Sequence, residues 1–146
     1  MQQRSTVLIV DDSRVMCEFM SLFLSSKYET IPKTDAREAL KLIKNGLRPD
    51  IILTDLNMPH MHGTEFIEAV RDLLPYVPIM AVSGALESEK RISWLAAGAD
   101  DFLLKPFHPA EMAVRLSKLI RTKQTVEEPS LGDIFFSKVR GIAAAF

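Results

Sequence analysis

The sequence lacks several features that would indicate particular classes of protein. It has one cysteine, Cys17, so no disulfide can form within the chain, and a reducing compartment fits. No apolar run approaches the roughly 18 residues of a membrane-spanning helix. The apolar run near the N-terminus is also too short for a signal peptide. We therefore expect a soluble, cytoplasmic protein with no membrane contact.

An excess of charge of one sign is lacking as well. The chain has 18 basic and 19 acidic residues, with a net charge of −1, and no run of lysine or arginine. Nucleic-acid binding depends on neutralising phosphates, so we expect no direct contact with nucleic acid. The hydrophobic content of 47% is typical of a globular domain, and 146 residues can bury a core without disulfides or a structural metal.

Uninterrupted apolar runs predict the strands. Four such runs cover residues 7–10, 51–53, 79–82 and 102–104. Continuous rather than alternating hydrophobicity is typical of strands that are covered on both faces, as in a parallel sheet. A weaker strand around residues 29–31 is followed at once by Pro32, which cannot donate to a sheet ladder, so we expect this strand at an edge.

Five segments have apolar side chains at helical spacing. The side chains predicted to face the core are Val15, Phe19, Leu22 and Phe23; Ala36, Ala39, Leu40 and Ile43; Phe66, Ile67, Val70 and Leu74; Ile92, Leu95 and Ala96; and Met112, Leu116, Leu119 and Ile120. Helix ends are indicated by Ser13 as an N-cap, by Asn45-Gly46 and Gly98 as stops, and by Pro109 in a first turn.

Strands that alternate with helices predict a (βα)₅ α/β fold with a doubly wound, five-stranded parallel sheet. We favour the flavodoxin-like strand order 2-1-3-4-5, because it leaves the proline-flanked second strand at an edge. In this order the direction of winding changes between strands 1 and 3, where a ligand crevice is expected.

We assign this domain to residues 1–123, a polar linker to residues 124–130, and an amphipathic helical tail to residues 131–146. The apolar side chains of the tail fall on one helical face, with Ser130 as a cap; they are Leu131, Ile134, Phe135, Val139, Ile142, Ala143 and Phe146. The tail could fold back on the domain, pair with a second chain, dock a partner or open a further region. We favour folding back or dimer contact. No output domain or enzymatic motif is visible in the chain.

Polar side chains stand where the predicted strands end. The first strand is followed by Asp11 and Asp12, the third ends in Asp55, and Ser83 and Lys105 follow the fourth and the fifth. Ligands of open α/β sheets bind beyond the carboxyl ends of the strands, so we expect these side chains to meet. Alone, Asp12 would be interpreted as a helix cap and Lys105 as a loop residue, but the complete set favours a site.

Three carboxylates in one place repel one another unless a cation lies among them. Mg²⁺ suits such a set, because it takes one or two carboxylates and keeps several waters, which leaves room for phosphate oxygens. The lysine then supplies a second positive charge and the serine a hydrogen-bond donor. The ensemble favours attack by a carboxylate on a phosphoryl group, a reaction that is catalysed by positioning and charge neutralisation.

Longer motifs now carry a resemblance to a known family. Asp55 begins DLNMPHMHG, Ser83 lies in MAVSG, and Lys105 lies in GADDFLLKPF, while Asp11 and Asp12 follow VLIV. From about residue 6 to residue 122 the sequence resembles the receiver domain of two-component response regulators. The resemblance implies that Asp55 is the phospho-acceptor and that Mg²⁺ is the cofactor. It implies Asp12 and Asp55 as direct Mg²⁺ ligands, Asp11 as a ligand through water, and Asn57 as a ligand through its backbone carbonyl.

The resemblance also implies the parts of a switch. Ser83 would be the hydroxyl that turns towards the phosphoryl group, and Phe102 the aromatic ring that changes rotamer with it. Lys105 would bridge to the phosphoryl group, and the peptide before Pro106 would be cis. Ala85 is small and uncharged, so we expect it neither to block nor to polarise an attacking water.

By the same resemblance the phosphoryl donor is a histidine kinase or a histidine phosphotransfer protein, and a downstream effector protein reads the result. The changed face would comprise the fourth helix, the fifth strand and the fifth helix, and a homodimer could form through that face or through the tail. The chain would catalyse only its own phosphorylation and dephosphorylation, so we do not class it as an enzyme.

Two other functions use related features. An Asp-nucleophile phosphohydrolase needs a second acid two residues after the nucleophile, where this chain has Asn57. A flavodoxin-like mononucleotide binder needs a phosphate-binding loop after the first strand, where this chain has carboxylates.

Five further residues attract attention in the sequence. We predict that His60 and His62 are exposed loop residues, that His108 caps the fifth helix, and that Cys17 is a buried thiol. Trp94 could pack in the core or serve an interface, since tryptophan is enriched at binding hot spots.

Overall fold

Strands and helices alternate strictly in the computed structural model, which describes residues 3–84 and 88–125. In chain order the elements are β1 (Thr6–Val10), α1 (Arg14–Leu24), β2 (Glu29–Lys33), α2 (Ala36–Lys44), β3 (Ile51–Asp55), α3 (Gly63–Leu73), β4 (Ile79–Ser83), α4 (Ser88–Ala97), β5 (Asp101–Leu104) and α5 (Pro109–Thr125). The predicted (βα)₅ fold is therefore confirmed. In the described ranges, no helix is both long and apolar enough to cross a membrane.

All five strands run parallel in the order β2-β1-β3-β4-β5, as predicted. The proline-containing strand β2 lies at an edge, and Pro32 is aligned with Ile9 of β1. This position is tolerable because an edge strand needs ladder hydrogen bonds on one side only. β1 and β3 are neighbours, so the residues that follow them stand side by side at the carboxyl edge of the sheet.

Each face of the sheet carries its own hydrophobic core. Successive side chains of a strand point to opposite faces, so Leu8 and Val10 face the core that α2, α3 and α4 cover. Val7 and Ile9 face the second core, which α1 and α5 cover. Burial on both faces accounts for the uninterrupted apolar runs in β1, β3 and β4.

Three of the predicted helix faces are confirmed. On α2 the buried side chains are Ala36, Ala39, Leu40 and Ile43. On α3 they are Phe66, Ile67 and Val70, with Leu74 beyond the helix end partly buried. On α5 they are Met112, Leu116 and Ile120, with Leu119 partly buried.

The predicted face of α1 is wrong. The four side chains are exposed over much of their surface: Val15 by 74%, Phe19 by 43%, Leu22 by 79% and Phe23 by 42%. The buried side chains are instead Cys17, Met20 and Leu24. This helix is apolar over most of its circumference, so its periodicity allows two stripes, and only the position of the sheet decides between them.

The prediction for α4 also fails. Ile92 and Leu95 are 67% and 49% exposed and Ala96 is exposed, whereas Trp94 is only 4% exposed. The large indole ring occupies the core position. Trp94 is therefore a packing residue of α4 rather than a surface anchor.

The predicted helix ends are confirmed. Ser13 caps α1, because its side-chain oxygen accepts a hydrogen bond from the Met16 amide at 3.3 Å. Gly46 and Gly98 follow α2 and α4 with φ of 111° and 120°, a conformation that favours glycine, and Pro109 begins α5. Helix α5 includes residues 124 and 125, which the sequence predicts to be part of the linker. The remaining linker and the tail, like Ala85, lie outside the described residues.

Gly63, at the start of α3, packs directly against the backbone that follows β3. A Cβ atom added there would lie 2.7 Å from Leu56 Cα and 2.8 Å from its carbonyl oxygen, closer than real contacts allow. The Gly63 amide also donates to that oxygen at 3.2 Å. Glycine thus lets α3 begin close to the end of β3.

We predict that Gly63→Ala lowers the free energy of unfolding by about 1–3 kcal/mol, since the backbone of Leu56 must move. Gly84→Ala is the matched control, because no atom lies within 4 Å of the added methyl group. Urea unfolding of both variants measures the difference. Equal effects of the two substitutions would contradict the close approach.

Candidate functional site

The side chains that follow four strands meet at the carboxyl edge of the sheet. Asp11 lies just after β1, Asp55 and Ser83 end β3 and β4, and Lys105 follows β5. Asp11, Asp55 and Ser83 are 0%, 6% and 2% exposed, which is unusual for polar side chains and requires partners. The structure therefore places these residues at the same edge of the sheet, as the sequence predicted.

Three carboxylates converge here. One oxygen from each of Asp11, Asp12 and Asp55 lies within 4.8 Å of the other two. Asp11 and Asp55 are buried, while Asp12 is exposed and stands at the mouth of the site. Such a group of hard oxygen donors is the kind that Mg²⁺ prefers. The cluster is therefore an acidic pocket suited to a divalent cation.

Backbone amides orient the two buried carboxylates. Asp11 Oδ1 accepts the Ser13 amide at 2.8 Å, so the start of α1 holds this side chain. Asp55 Oδ1 accepts the Leu56 amide at 2.7 Å and the Asn57 amide at 3.3 Å. In both cases Oδ2 is the oxygen near the lysine.

Lys105 places one ammonium group beside both buried carboxylates. Its Nζ lies 3.1 Å from Asp11 Oδ2 and 3.6 Å from Asp55 Oδ2. Its backbone amide donates to the Ser83 carbonyl at 2.8 Å, which ties the end of β5 to the end of β4. The peptide between Lys105 and Pro106 is cis.

The electrostatics of the site reflect an excess of negative charge. Burial raises the pKa of Asp55 above its usual value, and the charge of Asp11 raises it further. Burial opposes the charge of Lys105, but the hydrogen bond and charge of Asp11, together with Asp55, outweigh it and raise the pKa of Lys105. The lysine is thus held charged, while ionised Asp55 is left under-compensated.

Phe102 lies beneath the site and touches α4. Its ring centre is 5.8 Å from that of Trp94, with the planes tilted by 38°. Phe102 is aligned with Ala81 of β4, two residues before Ser83 on the neighbouring strand. The Trp94–Phe102 pair therefore connects α4 to the strands that carry Ser83 and Lys105.

The histidines lie where they were predicted. His60 and His62 are exposed, and His62 Nδ1 lies 3.4 Å from the Thr64 hydroxyl. His108 Nδ1 accepts the Ala110 amide at 3.1 Å and so caps α5.

Cys17 is buried, as predicted, and lies directly under the carboxylates. Its Sγ lies 3.2 Å from the Asp11 carbonyl oxygen, within hydrogen-bond distance. Burial, with the nearby charge of Asp11, raises the pKa of Cys17 to about 11. A thiol with such a pKa is a poor nucleophile at neutral pH.

One structural clamp was not visible in the sequence. Arg71, at the end of α3, donates to the Gly98 carbonyl at 3.0 and 2.7 Å and to Asp100 Oδ2 at 2.7 Å. It also bonds the Val77 carbonyl before β4. Asp100 Oδ2 in turn accepts the Ile79 amide at 2.8 Å. Helical periodicity treats Arg71 as a solvated residue, and its partners are brought to it only by the fold.

Comparison with known proteins agrees with this geometry. Residues 7–117 match the family model of the response regulator receiver domain. The transcriptional regulatory protein PrrA of Mycobacterium tuberculosis is 36% identical over 118 residues, which are 80% of this chain and 50% of that protein. The sensor histidine kinase TmoS of Ectopseudomonas mendocina is also 36% identical, over 80% of this chain but only 12% of its own length.

One solved structure matches this chain over nearly the whole of its own length. The chemotaxis protein CheY4 of Vibrio cholerae is 35% identical, with a TM-score of 0.76, and the match covers 80% of this chain and 99% of that one. By contrast, the chain spans about half the length of the first curated relatives that it matches. The shared part is thus one domain that occurs in proteins of different length and domain composition.

We predict that Asp55→Asn raises the free energy of unfolding at pH 7 in a chelator, because the substitution removes an under-compensated buried charge. A carboxyl whose folded pKa is raised contributes stability that is present below its unfolded pKa and lost as pH rises through its folded pKa. The advantage of Asp55→Asn should therefore shrink as pH falls through the raised folded pKa and be absent below about 4, the unfolded pKa. Urea unfolding of the wild type and of Asp55→Asn, at pH 7 and at a pH below about 4, measures this difference in stability.

Asp72→Asn, at an exposed position of α3, is the control and should change little at either pH. A loss of stability in Asp55→Asn at pH 7 would show that the ionised carboxylate is well compensated without a cation.

Proposed function

Because the chain belongs to the family of response regulator receiver domains, we propose that Asp55 is its phospho-acceptor. Phosphorylation-dependent signalling is the role of this family. The observation that carries the proposal is the position of Asp55 Oδ2, which lies 3.6 Å from Lys105 Nζ and in the same cluster as the oxygens of Asp11 and Asp12. A group bonded to this oxygen would be surrounded by compensating charge.

The cation site that fits this cluster is a Mg²⁺ site. We assign Asp12 and Asp55 to it as direct ligands, Asp11 through water, and Asn57 through its backbone carbonyl, as in the family. When bound, Mg²⁺ supplies positive charge to the oxygens of the phosphoryl group. The raised pKa of Asp55 supports the assignment, because a nearby cation would relieve the repulsion between the carboxylates.

Asp55 Oδ2 is positioned to attack the phosphorus atom of a phosphohistidine. The new bond joins Oδ2 to phosphorus, the bond from phosphorus to the histidine nitrogen breaks, and its electron pair leaves with that nitrogen. Lys105 stabilises the transferred charge, and Asp11 holds the ammonium in position at 3.1 Å. The donor is a histidine kinase or a histidine phosphotransfer protein.

Receiver domains are signalling modules rather than classical enzymes. The chemistry that we assign to this chain is limited to its own phosphorylation and dephosphorylation. We place the domain in the cytoplasm, a reducing compartment that fits a chain whose one cysteine is a buried free thiol.

The phosphoryl group is read through Ser83 and Phe102. The hydroxyl of Ser83 turns towards the new phosphoryl oxygens. The ring of Phe102 then changes rotamer and fills the space that the Ser83 hydroxyl has left. The output face comprises α4, β5 and α5, where four apolar side chains are 48–67% exposed; they are Ile92, Leu95, Leu104 and Val114. A downstream effector protein or a second copy binds there, and the domain itself contacts no nucleic acid.

We predict that a small phosphodonor such as phosphoramidate adds one phosphoryl group to the chain in the presence of Mg²⁺, and that chelation reduces the rate at least about 100-fold. Intact mass spectrometry measures the gain. Asp55→Asn should take up none, whereas Asp72→Asn should behave as the wild type. Labelling that persists in Asp55→Asn, or that needs no divalent cation, would overturn the assignment.

We also predict that phosphorylation changes the fluorescence of Trp94, the one tryptophan in the sequence, because its contact with the Phe102 ring alters. Ser83→Ala should weaken the change without abolishing phosphorylation, and Phe102→Leu should remove the aromatic contribution. Emission spectra with and without the phosphodonor test this. An unchanged spectrum in fully phosphorylated protein would exclude this pair from the switch.

A further inference from the structure

Strand β3, which carries Asp55, also carries a polar side chain that is not part of the acidic cluster. Thr54 is 0% exposed, and the residues before it in the strand are aliphatic. Successive side chains of a strand point to opposite faces, so Thr54 lies on the same face as Ile52, in the core that α2, α3 and α4 cover. A hydroxyl buried there costs free energy unless it makes a hydrogen bond.

The partner of this hydroxyl is the backbone of the next residue. Thr54 Oγ1 donates to the Asp55 carbonyl oxygen at 2.9 Å. The same peptide group carries the Leu56 amide, which donates to Asp55 Oδ1 at 2.7 Å. A peptide group is planar, so its carbonyl and its amide turn together. The direction in which Thr54 holds the carbonyl therefore sets the direction of the Leu56 amide.

We propose that Thr54 is a positioning residue for Asp55, and that it acts through the peptide group between Asp55 and Leu56. The hydroxyl holds this group by its carbonyl, and the amide of the group holds Asp55 Oδ1. Oδ2 is then left on the side of Lys105, 3.6 Å from its Nζ. The inference rests on the proposed function, because it concerns the reaction of that same oxygen.

The place of this peptide group makes its orientation important. β3 ends at Asp55, so the Leu56 amide lies beyond the last residue of the strand and donates to a side chain. The Asn57 amide also donates to Asp55 Oδ1, but its distance of 3.3 Å makes it the weaker contact. The direction of the carboxylate thus depends mainly on one peptide group. Small displacements of a reacting atom have large effects on rate.

Two substitutions separate positioning from packing. Valine has the shape of threonine without the hydroxyl and is favoured in strands, so Thr54→Val should fold and removes the hydrogen bond. Thr54→Ser keeps the hydroxyl and removes a methyl group from the core. If Thr54 only filled space, the serine variant would be the more defective of the two. The positioning role predicts the reverse.

Nuclear magnetic resonance of the metal-free protein in a chelator tests the hydrogen bonds. In Thr54→Val the Leu56 amide proton should shift upfield and exchange about three- to tenfold faster, because its contact with Asp55 Oδ1 loosens. Thr54→Ser should keep the wild-type values. Thr30→Val on β2 is the matched control, since it removes a hydroxyl that lies 2.6 Å from Ser21 Oγ, and it should leave the Leu56 amide unchanged.

Phosphorylation by phosphoramidate at saturating Mg²⁺ tests the consequence for the reaction. The rate constant should fall about three- to tenfold in Thr54→Val and recover in Thr54→Ser. Thr30→Val should react as the wild type does. Intact mass spectrometry over time measures all four rates.

An unchanged Leu56 amide or an unchanged rate in Thr54→Val would overturn the inference. An equal loss in Thr30→Val, or a larger defect in Thr54→Ser than in Thr54→Val, would overturn it as well. A wild-type chain that takes up no phosphoryl group would contradict the proposed function instead. The Leu56 amide of the metal-free protein would then still decide whether Thr54 holds the peptide group after Asp55.

Discussion

The candidate site depends on one electrostatic constraint, in which a single ammonium group compensates buried carboxylates from two neighbouring strands. Lys105 reaches Asp11 and Asp55 because β1 and β3 are adjacent in the sheet and β5 is tied to β4 through the Ser83 carbonyl. One positive charge does not balance three acids. The remaining negative charge would repel a phosphoryl group, which is why we propose that a cation occupies the site before phosphoryl transfer.

The sequence predicted the site well because each of its residues is attached to a strand end. The parallel sheet brings all strand ends to one edge, and the order 2-1-3-4-5 makes β1 and β3 neighbours, which predicts that Asp11 and Asp55 meet. Lys105 follows β5, two strands away from β3, and reaches them with its long side chain. Pro32 supplied the one observation that favoured this order, since a proline is tolerated in an edge strand. Local chemistry and topology thus agreed.

The sequence predicted poorly where the apolar pattern of one helix allowed two different buried faces. α1 has apolar side chains on most of its circumference, so its period could not identify Cys17, Met20 and Leu24 as the buried set. In α4 a single Trp94 outweighs Ile92 and Leu95 because it fills more of the core. The Arg71 clamp involves three separate chain segments, and no local pattern contains it. These features depend on tertiary packing, which periodicity does not report.

The Arg71 clamp fixes the C-terminal end of α4. The Gly98 carbonyl, at the C-terminal end of the helix, is held by two guanidinium hydrogen bonds of 3.0 and 2.7 Å, so displacement there would break charge-assisted contacts. We infer that α4, if it rotates when the site changes, pivots about Gly98. Residues further from Gly98 along the helix would then move through a longer arc.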